Sequence, residues 1–276
     1  MGVFASAPVA ILLHSVRSLG VELYRGARGR LVMRINKRGA ISAVLLALVA
    51  VANPAQAGSK EDWQDCRADH PDRNISGCTR IIEARNETPK NRAAAYYSRG
   101  SAYGERSDYA HALADYEEAI RLNPHNYDVY ISRGLIYEAK GDRDRAIADY
   151  SEAIRLNPKF ASIYFTRANV YEDKGEHDLA YADYTEAIRL YGKHTTAYYN
   201  RGLISEKKGD LDGAIADFTA AIKIQAGFSA AYVSRGNAYR AKGENDKAMA
   251  DYKRALAINP GLQAAKDGLK ALAPNP

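Results

Sequence analysis

Five arginines stand in a fixed relation to five aspartates. Arg99, Arg133, Arg167, Arg201 and Arg235 are followed, sixteen residues on in every case, by Asp115, Asp149, Asp183, Asp217 and Asp251. A guanidinium presents a rigid fork of N–H donors that fits a carboxylate or a phosphate. The set therefore reads either as a basic ladder for an anionic ligand or as a repeated internal ion pair, each Arg meeting an Asp of its own or the neighbouring copy. Strict one-to-one recurrence favours the internal pair, because a binding ladder would vary along its length. Reaction chemistry has little to build on: there is no Gly-rich phosphate loop, no G-x-S-x-G and no H-E-x-x-H. His14, His70, His111, His125, His177 and His194 fall at no ligand spacing. No catalytic residue, metal or cofactor is expected. Cys66 and Cys78 lack the two further ligands of a zinc site and are expected to pair as a disulfide in an oxidising compartment.

The elements that place these residues repeat. Aligned to itself at a period of 34, the chain divides without gaps into copies at 93–126, 127–160, 161–194, 195–228 and 229–262. Counting from the first residue of each copy, position 4 is Tyr96, Tyr130, Tyr164, Tyr198 and Tyr232. Position 8 is Gly100, Gly134, Ala168, Gly202 and Gly236, and position 11 is Tyr103, Tyr137, Tyr171, Ser205 and Tyr239. These spacings put a ring, a small residue and a ring on one face of a helix. Positions 20, 24 and 27 are Ala, an aromatic ring and Ala in all five copies, for example Ala146, Tyr150 and Ala153. That is the apolar stripe of a second helix. Small residues at 8 and 20 allow two antiparallel helices to approach closely, with rings filling the space around the contact.

Punctuation falls between the stripes. Gly141, Gly175, Gly209 and Gly243 stand at position 15, suited to a left-handed residue just past a helix end. Asp108, Asp142, Glu176, Asp210 and Glu244 follow at position 16 and can cap the next helix. Asn-Pro at 123–124, 157–158 and 259–260 ends the second helix, but the third and fourth copies end in Tyr191-Gly192 and Gln225-Ala226 without proline, which predicts looser joints there. Ahead of the first clear copy, Gly77, Ile81, Ala84 and Pro89 fit positions 20, 24, 27 and 32 of a degenerate copy, with one extra residue, Arg92. Residues 58–92 are thus expected to form a helix hairpin pinned by Cys66 and Cys78, and residues 263–276 a closing helix and tail.

The pattern over 93–262 resembles the tetratricopeptide repeat family, with Tyr in place of the family's usual Trp at position 4. The resemblance implies an all-α solenoid of antiparallel helix pairs, stacked into a right-handed superhelix with a concave groove. It also implies that positions 2, 5, 6, 9 and 12 of each first helix line that groove. On that basis Tyr97, Phe165, Asn169, Tyr199, Asn200 and Asn237 are the candidate ligand-binding residues. An apolar wall with hydroxyl and amide groups suits a peptide, whose backbone the amides can bond and whose apolar side chains the rings can cover. Some family members hold an acidic C-terminal carboxylate through two Asn and three basic residues. Asn169 and Asn200 match both Asn positions, but Phe165, Ala230 and Ser234 stand at the basic ones, so that function is not supported.

The first 57 residues read differently. Basic Met33–Arg38, the uncharged apolar run Ala40–Ala52 and Ala55-Gln-Ala57 are the three parts of a secretory signal peptide of bacterial type, with cleavage expected after Ala57. Thirteen apolar residues are too few to cross a bilayer as a helix, so no membrane anchor is expected to remain. Met33 is the expected start of translation, with Met1 and a long leading segment as the alternative. The leader holds seven Lys/Arg against one Asp/Glu, which leaves residues 58–276 with zero net charge and no electrostatic reason to expect nucleic acid. The expected function is a periplasmic or secreted scaffold that holds a protein or peptide partner. The alternative is a structural or assembly component of the cell envelope that uses its convex face or ends; an enzyme is the least expected.

Overall fold

The computed structural model describes residues 21–25, 31–35, 58–84 and 86–273, the first two stretches as backbone only. The chain divides into two units, Met1–Pro54 and Ala55–Pro276. In the first, β1 (Val21–Arg25) and β2 (Leu31–Ile35) form an antiparallel ribbon with Leu23 opposite Met33. Sequence spacing predicts no element there. The apolar run 40–52 and the expected cleavage motif 55–57 lie outside the described residues.

The second unit is all helix among its described residues. A first hairpin joins α1 (Lys60–Cys66) to α2 (Pro71–Glu83). Five further hairpins follow: α3 (Pro89–Glu105) with α4 (Tyr109–Leu122), α5 (Tyr127–Ala139) with α6 (Arg143–Leu156), α7 (Ala161–Asp173) with α8 (His177–Leu190), α9 (Thr195–Lys207) with α10 (Leu211–Ile224), and α11 (Ser229–Ala241) with α12 (Asn245–Ile258). α13 (Gln263–Leu272) closes the array, with Lys266, Asp267 and Lys270 exposed. The ring at position 24 and its flanking alanines are buried in every copy, Tyr150, Tyr184, Phe218 and Tyr252 completely. The glycine at position 8 faces that ring: a Cβ on Gly134 would lie 2.7 Å from Tyr150, and one on Gly202 2.7 Å from Phe218. The closest approach is thus between a helix backbone and an aromatic edge, and in the first copy the expected small-residue contact is also present, Ala112 O lying 3.2 Å from a Cβ on Gly100.

Each of the five repeat hairpins turns by one device. Gly141 has φ +77°, its N–H bonds to the Glu138 carbonyl, and the next N–H, of Asp142, bonds back to Tyr137 at 2.8 Å. This six-to-one closure satisfies the last carbonyls of the first helix, and Asp142 then caps the second. The same bonds recur at Gly175, Gly209 and Gly243. In the first copy the position belongs to Ser107, held at φ +59°, a conformation that costs any residue with a Cβ. The carboxylates at position 16 divide by length. Asp108, Asp142 and Asp210 accept a backbone N–H as caps, whereas Glu176 and Glu244 make no side-chain cap bond. The joints without proline follow the same path as the others: Tyr191 at φ −138°, ψ 87° and Gln225 at φ −130°, ψ 89° match Asn157 at φ −136°, ψ 80°.

Cys66 and Cys78 are disulfide-bonded and buried, joining α1 to α2. The register expected for this hairpin is corrected by a contact. Arg99 Nη1 donates to Thr79, which is the place that position 25 of a preceding copy takes for Arg167, Arg201 and Arg235. Asn74, Cys78 and Ile81, all buried, therefore occupy positions 20, 24 and 27, in place of Gly77, Ile81 and Ala84. Pro89 opens α3 instead of closing a copy. The extra length lies in α3, which has 17 residues where the other first helices have 13. Asn74 serves the packing of this hairpin: its amide donates to the Cys66 carbonyl at 2.6 Å and to Ser98 at 2.9 Å.

Candidate functional site

The recurrent Arg and Asp are spent inside the array. In each copy Nε and Nη2 of the arginine meet both oxygens of the aspartate of the same copy, as in Arg133–Asp149 at 2.9 and 2.7 Å and Arg167–Asp183 at 2.7 and 2.8 Å. The guanidinium lies over the ring at position 4, 5.6 Å from Tyr96 and 5.6 Å from Tyr232. Its remaining nitrogen reaches the preceding second helix, Arg167 to Ser151 at 2.8 Å and Arg235 to Thr219 at 3.0 Å. In four of the five copies, Arg133 being the exception, one side chain thus joins two helices of its own repeat and a third of the preceding one. No anion ladder is left over. Ser205, which lacks the ring at position 11, is compensated from the neighbouring repeat: Tyr181 of α8 lies 5.7 Å from Arg201.

Neighbouring first helices touch at two joints, α3 against α5 and α9 against α11, and the side they share is the inner wall of the array. Tyr97, Phe165 and Tyr199 lie half-buried on it, each tilted against the position-24 ring of its own copy: Tyr97 on Tyr116 at 6.1 Å, Phe165 on Tyr184 at 5.8 Å, Tyr199 on Phe218 at 5.7 Å. A second ring from the last residue of the copy backs two of them, His194 at 4.3 Å from Phe165 and Phe228 at 4.9 Å from Tyr199. These linker rings were not among the expected groove residues. The signal was present at position 34, where Phe160, His194 and Phe228 recur. His194 Nδ1 also accepts the Ala197 N–H as the cap of α9, and burial pushes its pKa below 6.5.

The three asparagines are partly committed to the core. Asn169 Oδ1 accepts from the Tyr184 hydroxyl at 2.6 Å, and Asn237 Oδ1 accepts from Tyr252 at 2.8 Å. Asn200 Nδ2 donates to the Tyr184 oxygen at 3.0 Å and reaches Asn169 Oδ1 at 3.4 Å, which links two repeats along the wall. What remains for a ligand is the NH2 of Asn169 and of Asn237 and the carbonyl of Asn200, none with a protein partner among the described residues. Tyr199 is bridged to Ser234 of the next repeat at 3.4 Å.

Position 12 adds a feature that residue types alone did not bring forward: Glu138, Glu172 and Glu206 in consecutive copies, followed by Arg240. Glu138 accepts from the Tyr150 hydroxyl at 2.9 Å; Glu172 lies 2.8 Å from the Tyr184 oxygen and shares its single proton with Asn169. Burial, joined by the neighbouring glutamate, keeps both tyrosines protonated far above the usual range. The fourth copy has Phe218 at position 24, so Glu206 receives no such hydroxyl, and burial pushes its carboxyl pKa up. Leu135, at position 9 of the second copy, stands 49 % exposed on the same wall.

A row of helix hairpins with rings, amides and carboxylates on one wall defines a helical-repeat interaction scaffold. Profiles of the tetratricopeptide repeat match residues 97–161, 165–230 and 229–262, and the chain belongs to that family. Among solved structures it is similar to YrrB, a TPR protein with an unusual peptide-binding site, at 23 % identity over 71 % of this chain and 99 % of YrrB, with a TM-score of 0.62. It is similar to MamA at 28 % identity over 60 % of this chain and 96 % of MamA, with a TM-score of 0.55. The C-terminal part of a TPR repeat-containing protein from Cytophaga hutchinsonii is 18 % identical over 72 % of this chain and 81 % of its own length, with a TM-score of 0.62. The likenesses to YrrB and to the Cytophaga protein show the fold alone. No curated protein matches the chain.

Proposed function

We propose that residues 58–276 act as an exported scaffold that holds a peptide or a protein segment along the inner wall of the array. The observation that carries this reading is the run of half-buried rings at Tyr97, Phe165 and Tyr199 beside unspent amide groups of Asn169, Asn200 and Asn237. Rings exclude water around apolar side chains while amides bond the extended backbone between them. The carboxylates of Glu138, Glu172 and Glu206 on the same wall favour a guest that carries Lys or Arg. YrrB, a TPR protein with an unusual peptide-binding site, shows that an array of this repeat can bind a peptide. Export to the periplasm or beyond is supported by the three-part leader and by a buried disulfide, which persists in an oxidising compartment.

The test is capture of partners by the purified protein, followed by titration of the captured segment against Phe165→Ala, Tyr199→Ala and Asn169→Ala. Loss of a single ring anchor is expected to weaken binding about tenfold or more, and added salt is expected to weaken it further. Full affinity in all three variants would move the contact to the convex face or the ends, as the envelope-assembly alternative requires.

A further inference from the structure

We propose that Gly58 becomes the amino terminus of the mature protein, and that its ammonium docks on the buried carboxylate of Glu87, so that removal of the leader itself locks the first hairpin. The inference rests on cleavage after Ala57. Glu87 lies between α2 and α3 and is only 6 % exposed. It accepts from the Gly58 N at 3.0 Å, from the Thr88 N at 3.2 Å and from the Asn91 amide. All three donors are neutral while the chain is continuous, and among the described residues no Lys or Arg pairs with Glu87. A carboxylate taken out of water without a counter-charge is costly. A counter-charge is available from one of the donors. Hydrolysis of the Ala57–Gly58 amide by a leader peptidase consumes one water, leaves a carboxylate on Ala57 and frees the Gly58 amine, which takes up a proton. The nitrogen already 3.0 Å from Glu87 Oε2 then carries a full positive charge.

The pocket accepts this terminus and little else. A Cβ on residue 58 would lie 2.8 Å from Ile81 Cγ1 and 3.3 Å from Glu87 Oε2, so glycine is the residue whose nitrogen reaches the carboxylate. Ser59 immediately beyond caps α1, with Asp62 completing a capping box. The acidic first turn, Glu61 and Asp62, offsets the repulsion between an ammonium and the positive end of the helix. The lock therefore ties the start of α1 to the α2–α3 connection, while Cys66–Cys78 ties its end to α2. This hairpin has no preceding repeat to hold it, which is where an array needs an added fastening.

The experiment uses the full chain with residues 52–57 rewritten as a recognition sequence for a protease that cuts just before Gly58. Melting is compared before and after the cut, in the parent, in Glu87→Gln and in Gly58→Ala. The cut is expected to raise the parent Tm by roughly 5 °C and to leave both variants unchanged. As a second readout, the new α-amine of the folded parent is expected to react with an acylating reagent about tenfold more slowly than in urea, one pKa unit of stabilisation being tenfold. If Glu87→Gln does not fold, the parent's amine reactivity and Gly58→Ala carry the test. An unchanged melt with a freely reactive amine overturns the lock. N-terminal sequencing of the protein exported by cells checks the premise separately: a start at Gly58 supports it, and a start elsewhere overturns the proposal through its leader rather than through its geometry.

Discussion

Replacing Asp217 by Ala removes both oxygens that hold Arg201, and the structure sets the size of the effect. The two contacts are 2.9 and 2.7 Å, and the Arg201 and Asp217 side chains are 17 % and 8 % exposed. Hydrogen bonds to charged groups contribute about 1.5–3 kcal/mol each, and stripping one partner from a buried pair costs about 3–5 kcal/mol. Arg201 would keep its bond to Thr185 at 3.1 Å and its place beside Tyr198 and Tyr181, and it borders water, so the lower part of that range applies. The expected cost of Asp217→Ala is about 3 kcal/mol. Replacing both partners by apolar residues, Arg201→Met with Asp217→Leu, leaves no orphaned charge and is expected to cost less than about 1 kcal/mol. Urea unfolding of the two singles and the double gives the coupling, and amide exchange in α9 and α10 locates it, since one repeat can open without the rest. Additive single effects, or a loss below about 1 kcal/mol for Asp217→Ala, would place the pair with ordinary surface ion pairs and refute the internal staple.

Three further outcomes follow from local geometry. Ser107→Gly is expected to stabilise by about 0.5–1 kcal/mol, because it relieves a left-handed residue at φ +59°; a lower Tm than the parent would contradict this. Glu176→Asp shortens a carboxylate that makes no cap bond to the length that caps α6 and α10, and should raise stability by about 0.5–1 kcal/mol, measured by thermal melting. The folded pKa of His194 lies below its unfolded value near 6.5, so the unfolded chain binds the extra proton first; the His194 contribution is complete above about pH 6.5 and is lost as pH falls through the folded pKa. His194→Ser keeps a cap that does not titrate in this range, and should flatten the stability difference between about pH 7.5 and 5.5; an unchanged slope would assign the pH dependence to other groups.

Much of the fold was legible because each repeat spells out its own contacts. The ring between two alanines, the glycine at position 15 and the acid after it each report a local demand of helix packing or chain reversal, and five gapless copies average out single departures. Where a departure is compensated from elsewhere, the local pattern misleads. Ser107 takes the glycine conformation because the six-to-one closure around it holds it there. The first hairpin was misaligned because Asn74 and Cys78 stand where Ala and a ring are usual, and only the Arg99–Thr79 contact shows the register. The groove asparagines were found by position, but whether their amides are free depends on tyrosine hydroxyls fifteen residues away.

Sequence alone thus determined the architecture: a period of 34, helices from 3.6-residue spacing, the pairing of two cysteines and a first 57 residues distinct in charge and hydropathy, all of which follow from short-range rules of backbone geometry and burial. Tertiary structure alone decided which polar groups are spent and which remain. It turned ten recurrent charges into five closed pairs, left one carboxylate of the inner wall without a tyrosine donor, and brought the nitrogen of Gly58 to a buried Glu87 across 29 positions. The reason is that the availability of a polar side chain is a property of its neighbours in space, and those neighbours lie a helix, a turn or a whole repeat away along the chain.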